Sequence, residues 1–279
     1  MALVDHPRHS RLLVIGGAER SGPGGGEILR RFVDLAGGAA AELIVIATAS
    51  AEPAVLEAEY AALFTRLGAG RVRALRLENR AQANAATVDE VLATATGVFF
   101  TGGDQLRITT VLGGTRTDSA LQRLVRAGTI VLGGTSAGAA MMSGTMIIGG
   151  EGPGVTRAGV RTGPGLEFLP GVLIDMHFAE RGRLNRLLSA VARYPHELGL
   201  GIDENTAILA EGDSFEVLGT GAVTVVDAGA AADIRVPAEG PIALTGARVH
   251  VLPAGCRFEL SGRRPSIVDG VAGERELAA

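Results

Sequence analysis

A serine between two glycines is the first feature of this sequence that could support chemistry. The string GTSAG at 134–138 follows the apolar run TIVLGG at 129–134 and opens the helix-forming stretch AGAAMM at 137–142. Such a string between a strand and a helix is typical of a nucleophile elbow, because its glycines permit a tight turn that projects the serine hydroxyl. The pattern predicts that Ser136 is a nucleophile and that the Ala137 N–H helps to hold an oxyanion.

A serine hydroxyl needs a base that accepts its proton, and histidine is the usual one. His177 ends the apolar run at 171–176 and is followed by a group of arginines. The other histidines lie in the polar N-terminal tail, at a predicted helix end or in an edge-like strand: His6, His9, His196 and His250. We therefore expect His177 to act first as general base and then as general acid.

A catalytic histidine also needs a carboxylate that orients its ring. One candidate is Glu204, or its neighbour Asp203, at the end of the next apolar run; another is Glu151, in a stretch at 144–170 that is rich in Gly and Pro. Asp175 is two residues before His177, so on a strand it would share a face with the histidine and point along it rather than at a ring nitrogen. Glu204 is the preferred candidate and Glu151 the second.

Further polar residues follow the apolar run at 97–100, in the string TGGDQ at 101–105. Glycines let the backbone approach a ligand closely, so the Gly103 N–H could complete an oxyanion hole. Asp104 and Gln105 would then supply polar groups to a substrate. A plain turn between strand and helix, with Asp104 as the helix cap, is the alternative.

Three arginines crowd the segment RGRLNR at 181–186, just beyond His177. If a helix begins near Gly182, Arg183 and Arg186 are neighbours on one face. Together with Arg181 they could present planar guanidinium forks to carboxylates. A solvated helix face is the alternative interpretation of this cluster.

The composition excludes several classes of enzyme. All 26 basic residues are arginine, so the sequence has no lysine for a Schiff base, for pyridoxal phosphate or for a P-loop. The glycines at 16–26 do not fit G-x-G-x-x-G, and no acidic residue ends the run at 42–49, which argues against a dinucleotide cofactor. With Cys256 as the single cysteine and no Cys/His cluster, we expect neither a metal site nor any other cofactor.

Charge and hydropathy indicate a folded protein. The chain is 47% hydrophobic with a net charge of −4, which is too apolar for disorder and too balanced for electrostatic binding of nucleic acid. The polar start of the chain and the absence of a long apolar run predict a cytoplasmic protein without a membrane segment.

Alternating apolar runs and helical patterns predict the elements that position these residues. Up to about residue 149 they indicate an α/β fold, a mostly parallel sheet flanked by helices, in which ligands bind at the carboxyl ends of the strands. The predicted strands lie at 11–17, 42–49, 71–77, 97–103 and 129–134, and helices are expected at 53–67 and 87–95. The stretch at 144–170 is expected to be irregular, and about 199–265 to form an antiparallel β-rich extension of a single domain spanning 1–279.

Taken together, the motifs resemble the cyanophycinases, in the serine peptidase family that also contains the α-aspartyl dipeptidases. The matching segments, in order, are RLLVIGGAE at 11–19, FFTGGDQLRI at 99–108, GGTSAGAAMMS at 133–143, IDMHFAERGRLNRLL at 174–188 and LGLGIDENTAILAE at 198–211. The resemblance implies a Ser–His–Glu hydrolase without cofactor, usually a homodimer, on a flavodoxin-like or class I amidotransferase-like fold. It also implies the substrate cyanophycin, a polyaspartate whose side chains carry arginine in isopeptide linkage, which is cut into β-Asp-Arg dipeptides.

By position, the resemblance makes Ser136 the nucleophile, His177 the base and Glu204 the acid. It assigns substrate binding to Gln105, Asp175, Arg181, Arg183 and Arg186. The arginines would pair with the free α-carboxylates of the polymer, and Asp175 or Glu180 would meet its guanidinium groups. Cyanophycinases typically have Gln where this chain has Met176, so a thioether replaces a polar contact. A dipeptidase acting on short Asp-containing peptides and a catalytically silent peptide-binding homologue are the alternatives.

Overall fold

The computed structural model describes residues 10–20, 26–150 and 152–267. Its main sheet has a parallel half that consists of Arg11–Ile15 (β1), Glu42–Ile46 (β2), Arg71–Ala74 (β3), Gly97–Phe100 (β4) and Val131–Thr135 (β5). These strands lie in the order β1-β5-β4-β2-β3, and every neighbouring pair is parallel. The five strands expected from the sequence are therefore confirmed.

Helices cover both faces of this sheet. They are Glu27–Leu35 (α1), Pro53–Arg66 (α2), Arg80–Ala83 (α3), Thr87–Ala93 (α4), Gln105–Leu112 (α5), Arg116–Arg126 (α6) and Ala137–Ala140 (α7). A further helix, Leu184–Arg193 (α8), packs instead against a second sheet formed by later strands. Alternate strand residues face opposite sides: Leu13 packs in a cluster with residues of α1 and α2, whereas Leu12 packs with residues of α4, α5 and α6. Burial on both faces explains why β1, β2, β4 and β5 contain few charged residues, whereas the edge strand β3 is partly exposed and contains two arginines.

The predicted irregular stretch contains a hairpin, so that expectation was wrong in part. Thr145–Gly149 (β6) pairs antiparallel with Arg161–Pro164 (β7), and the register shifts between Ile147 and Gly149. The large apolar residues of β6 are consecutive, at 146–148, and β7 contains Gly and Pro and no large apolar residue. Neither strand therefore shows the alternating pattern that predicts a strand.

The antiparallel strands predicted near the C-terminus are present, and they divide between two sheets. A second sheet has the order β15-β12-β9-β8, built from Val172–Met176 (β8), Leu198–Ile202 (β9), Ala222–Asp227 (β12) and Arg248–Pro253 (β15). The main sheet continues beyond β1 through Thr206–Glu211 (β10), Ser214–Gly219 (β11), Arg257–Glu259 (β16) and Arg264–Ser266 (β17). The remaining strands, Asp233–Arg235 (β13) and Ala243–Thr245 (β14), pair with each other.

Strands β8 and β9 are parallel neighbours, so their carboxyl ends meet at one edge of the second sheet. The His177 N–H donates to the carbonyl of Gly16, just after β1, at 2.9 Å. This bond brings the carboxyl edges of the two sheets together. Within the described ranges, no helix combines the length and the apolar character that crossing a membrane requires.

Candidate active site

Ser136 occupies a strained turn directly after β5. Its φ of 52° lies in the left-handed region, which is uncommon for a residue with a side chain. The Ser136 N–H donates to the carbonyl of Ile15 at the end of β1, at 3.0 Å. A Cβ on Gly134 would collide with the carbonyl of Gly138, and one on Gly138 with the carbonyl of Phe100. Both glycines of the motif are therefore required for the turn to pack.

His177 lies beside this serine, at the end of β8. Its Nε2 is 2.9 Å from Ser136 Oγ, and its Nδ1 is 2.6 Å from Glu204 Oε1. The His177 side chain is only 14% exposed. A carboxylate accepts hydrogen bonds, so this geometry places the ring proton on Nδ1 and leaves the lone pair of Nε2 facing the serine hydroxyl. That is the arrangement in which a histidine can accept a serine proton.

The structure distinguishes the roles of the candidate carboxylates. Glu204, in the loop after β9, reaches the histidine, whereas Asp203 accepts from the N–H groups of Ala179 and Ala222 at 3.1 and 3.0 Å. Asp203 therefore holds the loops that flank the site. Glu151 lies outside the described residues.

Two glycines after β1 make room for the histidine loop. A Cβ on Gly16 would collide with the carbonyl of Asp203, and one on Gly17 with Cε1 of His177. Gly17 also has a φ of +117°, which L side chains rarely adopt. The sequence argues against a dinucleotide role for these glycines. The structure places Gly17 against the imidazole and Gly16 against the backbone of Asp203.

We expect Gly17→Ala to lower the turnover rate by about 10²-fold, because the methyl group displaces the imidazole from Ser136 and a shift of about 1 Å is enough for such a loss. The rate is measured with purified protein and a peptide substrate. Gly68→Ala is the matched control, since Gly68 has a φ of +97° but nothing within 4 Å of its Cβ position. Equal losses in the two variants would contradict a specific role for Gly17.

The Ser136 and His177 side chains open into a cavity of about 530 Å³. Its wall includes Gly103, Gln105 and Met176, together with the guanidinium groups of Arg161, Arg181, Arg183 and Arg186. All the charged side chains in this described wall are arginines, apart from the histidine when it is protonated. The cavity is therefore suited to a substrate that carries carboxylates.

A buried aspartate fixes two of these arginines. Asp175 is 0% exposed, and its Oδ2 accepts from Arg186 Nε at 2.9 Å while its Oδ1 accepts from Arg186 Nη2. Arg183 lies 3.5 Å from the same carboxylate and donates to the carbonyl of Met176. Asp175 thus stands behind the arginines and orients them, and its direct contact with a substrate stays a prediction. Arg181 is exposed and forms no ion pair with another described residue.

Of the residues that follow β4, some line the cavity and one caps the next helix. Gly103 and Gln105 line the cavity, and Gln105 Nε2 donates to the carbonyl of Ile147 on β6 at 2.8 Å. Asp104 accepts from the Leu106 N–H at 2.9 Å, so it caps α5, as the alternative interpretation held. Ala137 begins α7, where amide N–H groups lack partners within the helix. The roles of Gly103 and Ala137 in an oxyanion hole stay predictions.

The buried carboxylate of Glu19, which no sequence pattern predicted, supports the turn at Ser136 through a hydrogen bond with Thr135. Glu19 is 1% exposed; its Oε2 accepts from Thr135 Oγ1 at 2.6 Å, and its Oε1 accepts from the Tyr60 hydroxyl at 2.5 Å. Burial and the Glu19 carboxylate raise the pKa of Tyr60, so this hydroxyl stays protonated and donates. Glu19 follows Gly16 and Gly17 in the sequence, but nothing in the neighbouring residues predicts that its side chain is buried.

We expect Tyr60→Phe to lower the free energy of unfolding by about 1–3 kcal/mol, because the buried carboxylate of Glu19 loses one of its two donors. Urea unfolding at neutral pH measures this difference. Tyr194→Phe is the control, since among the described residues the Tyr194 hydroxyl bonds to the hydroxyl of Thr162, at 2.9 Å, and to no carboxylate. An equal or smaller loss for Tyr60→Phe would contradict the role of its hydroxyl.

Comparison with known proteins bears on this site. The model of peptidase family S51 matches residues 12–218. A cyanophycinase of Geminocystis herdmanii is 41% identical over 261 residues, covering 92% of this chain and 96% of that protein. A cyanophycinase of a Nostoc species is 43% identical over 257 residues, covering 90% of this chain and 86% of that protein. The resemblance drawn from the motifs is confirmed.

Solved structures support the fold. The crystal structure of a peptidase from an acI-B1 actinobacterium superposes with a TM-score of 0.67 at 21% identity, covering 91% of this chain and 98% of that one. A putative peptidase E protein from Listeria monocytogenes superposes with a TM-score of 0.53 at 15% identity, covering 75% of this chain and 98% of that one. The family model spans all the described site residues, from the loop after β1 to Glu204, and the curated relatives cover nearly the whole chain. The chain therefore belongs to peptidase family S51 and is a hydrolase of peptide bonds.

Proposed function

We propose that the chain is a serine-type exopeptidase that hydrolyses cyanophycin to β-Asp-Arg dipeptides through an acyl-enzyme. The observation that carries this proposal is the hydrogen-bonded series Ser136, His177 and Glu204 at the mouth of a cavity walled by arginines. The related cyanophycinases from Geminocystis and Nostoc support the choice of substrate.

In the acylation step, Ser136 Oγ attacks the carbonyl carbon of an α-peptide bond in the aspartate backbone while its proton moves to His177 Nε2. The N–H groups of Ala137 and Gly103 hold the resulting oxyanion. Glu204 stabilises the imidazolium through Nδ1–H. When the C–N bond breaks, His177 gives its proton to the leaving amine, and an ester links the substrate to Ser136.

In the deacylation step, His177 is neutral again and takes a proton from water. The hydroxide formed in this way attacks the ester carbonyl, and the proton on Nε2 passes to Ser136 Oγ as the C–O bond breaks. The products are a carboxylate and the free enzyme. The aspartate backbone has been cut, while the isopeptide link to arginine is left intact.

The arginines of the cavity account for the preference that we propose. Each arginine branch of cyanophycin ends in a free α-carboxylate, which a planar guanidinium can bind through two hydrogen bonds. Arg183 and Arg186 are held in place by Asp175, so little side-chain entropy is lost when they bind. Arg181, at the exposed rim, is free to follow the substrate. Met176 supplies an apolar contact between them.

The experiment is incubation of the purified protein with cyanophycin and, separately, with a panel of α-Asp-X dipeptides, followed by mass spectrometry of the products. We expect β-Asp-Arg from the first time points with cyanophycin, as an exopeptidase requires, and little turnover of the dipeptides. Turnover of dipeptides without attack on the polymer would indicate the dipeptidase alternative. No turnover of either substrate would indicate a silent binding protein.

Two further features belong to this proposal and rest on the sequence and its resemblance. We propose a cytoplasmic location, since a single cysteine fits a reducing compartment. We also propose a homodimer, which sedimentation of the purified protein would test.

A further inference from the structure

A second groove lies beside the catalytic cavity, and three arginines define it: Arg157, Arg161 and Arg193. We call it the arginine groove. It encloses about 590 Å³, and no carboxylate contributes to its described wall. Arg157 and Arg193 line this groove alone, whereas Arg161 also lines the catalytic cavity.

The arginine groove and the catalytic cavity share part of a wall. Ile148, Ala158 and Arg161 line both of them. Arg161 lies across Gly149, where a Cβ would be 2.7 Å from its Nη2. A polymer that occupies the cavity could therefore continue into the groove along the β6–β7 hairpin.

The groove is also held in a fixed form. Arg193 Nη1 donates to the carbonyl of Val160 at 3.0 Å, and its guanidinium lies 5.5 Å from the centre of the Tyr194 ring. The turn at Arg157–Gly159 is tied down as well, because Thr156 Oγ1 accepts from the Gly159 N–H and the Thr156 N–H donates to Ser189 Oγ on α8. The side chain of Arg193 and the backbone that carries Arg157 are therefore held in place, as a preorganised binding site requires.

The charge of the groove is uncompensated within the described part of the chain. Arg157, Arg161 and Arg193 form no ion pair with another described residue. Exposed arginines elsewhere differ in this respect: Arg20, Arg116 and Arg257 pair with carboxylates, whereas Arg66 and Arg71 form no ion pair with a described residue. The three groove arginines are distinguished by lining one concave surface together. The net charge of the chain is −4, so a patch of three unpaired arginines is a local reversal of sign. Such a patch attracts anionic groups.

We propose that the arginine groove is a distal subsite that binds the carboxylates of substrate units beyond those at the scissile bond. This inference rests on the proposed function, since a polymer with a carboxylate on every unit is the ligand that needs such a subsite. The guanidinium groups of the substrate are repelled by the groove and are expected to point into solvent. The subsite adds affinity for long chains and leaves the chemistry of the cut unchanged.

The first test compares substrates of different length. Arg157→Gln and Arg193→Gln are each assayed with cyanophycin and with the shortest cleavable oligomer, two β-Asp-Arg units joined by one backbone peptide bond. We expect each variant to raise KM for the polymer by roughly tenfold, equivalent to about 1.4 kcal/mol, with kcat unchanged and less than a twofold change for the short oligomer. Arg71→Gln, on the distant edge strand β3, is the control and should match the wild type.

The second test needs no hydrolysis. Binding of poly-L-aspartate, which has a carboxylate on every residue, is measured by calorimetry at low and high salt. We expect Arg157→Gln to weaken binding roughly tenfold at low salt, and added salt to reduce that difference. Unchanged binding and unchanged polymer kinetics in both groove variants would overturn the subsite, as would equal losses on short and long substrates. If the wild type fails to cut cyanophycin but binds poly-L-aspartate through Arg157, the proposed function fails and the groove stands.

Discussion

Ser136→Ala is expected to lower kcat for cyanophycin hydrolysis by about 10⁴–10⁶-fold, the range seen when the nucleophile of a serine hydrolase is removed. The substitution removes Oγ, the atom that lies 2.9 Å from His177 Nε2 and attacks the carbonyl to form the ester. Water can replace it only poorly. Because the cavity wall is otherwise unchanged, we expect the variant to bind the polymer with nearly the affinity of the wild type.

The fold should survive this substitution. Ser136 is already in the left-handed region at a φ of 52°, where alanine and serine carry a similar strain. Ser119→Ala, on the exposed side of α6, is the matched control and should keep full activity. A Ser136→Ala protein that is folded and retains even a tenth of the wild-type kcat would show that another group attacks the substrate.

Glu204→Gln is expected to lower kcat by about 10⁴-fold, as loss of the orienting carboxylate does in other serine hydrolases. The Glu204 carboxylate accepts from Nδ1–H at 2.6 Å, which keeps the lone pair of Nε2 toward Ser136. A glutamine can instead donate to Nδ1. The ring proton then lies on Nε2. A protonated Nε2 has no lone pair facing the serine, so it cannot accept the proton of the hydroxyl.

Glu180→Gln is the control for this change. Glu180 Oε2 accepts from the backbone N–H of Glu204 at 3.2 Å, and an amide oxygen can do the same. We expect Glu180→Gln to keep most of the wild-type kcat on the same polymer, and loss of a contact between Glu180 and a substrate guanidinium group would raise KM alone. Similar losses in both variants would mean that the charge of this loop matters and that the contact with His177 does not.

The positions of the three reacting side chains could be anticipated because each follows a strongly apolar strand. The strands β5, β8 and β9 are read easily from their Val, Ile and Leu content, and parallel strands bring their carboxyl ends together. The glycines at 134 and 138 limited what the turn around Ser136 could be. The sequence favours Glu204 because it ends the apolar run that follows that of His177, and the structure shows these two runs as the parallel neighbours β8 and β9.

Other features depend on contacts between distant residues and leave no local pattern. Glu19 and Thr135 are 116 residues apart, and only the folded chain places them at 2.6 Å. The position of Asp175 in the apolar run of β8 does not reveal its partner, and only the fold shows that it is buried against Arg186. The β6–β7 hairpin escaped notice because short strands with Gly and Pro lack periodicity. Its arginine at 161 was missed for the same reason.

The central claim is that His177 activates Ser136 as the nucleophile, and covalent labelling tests it most directly. The wild type is treated with a serine-directed fluorophosphonate while hydrolysis is followed, and the modified peptide is identified by mass spectrometry. We expect one adduct, on Ser136, formed in step with the loss of activity and at least about 10³-fold more slowly in His177→Ala. Inactivation with Ser136 unmodified, or equal labelling of Ser136 in wild type and His177→Ala, would contradict the account.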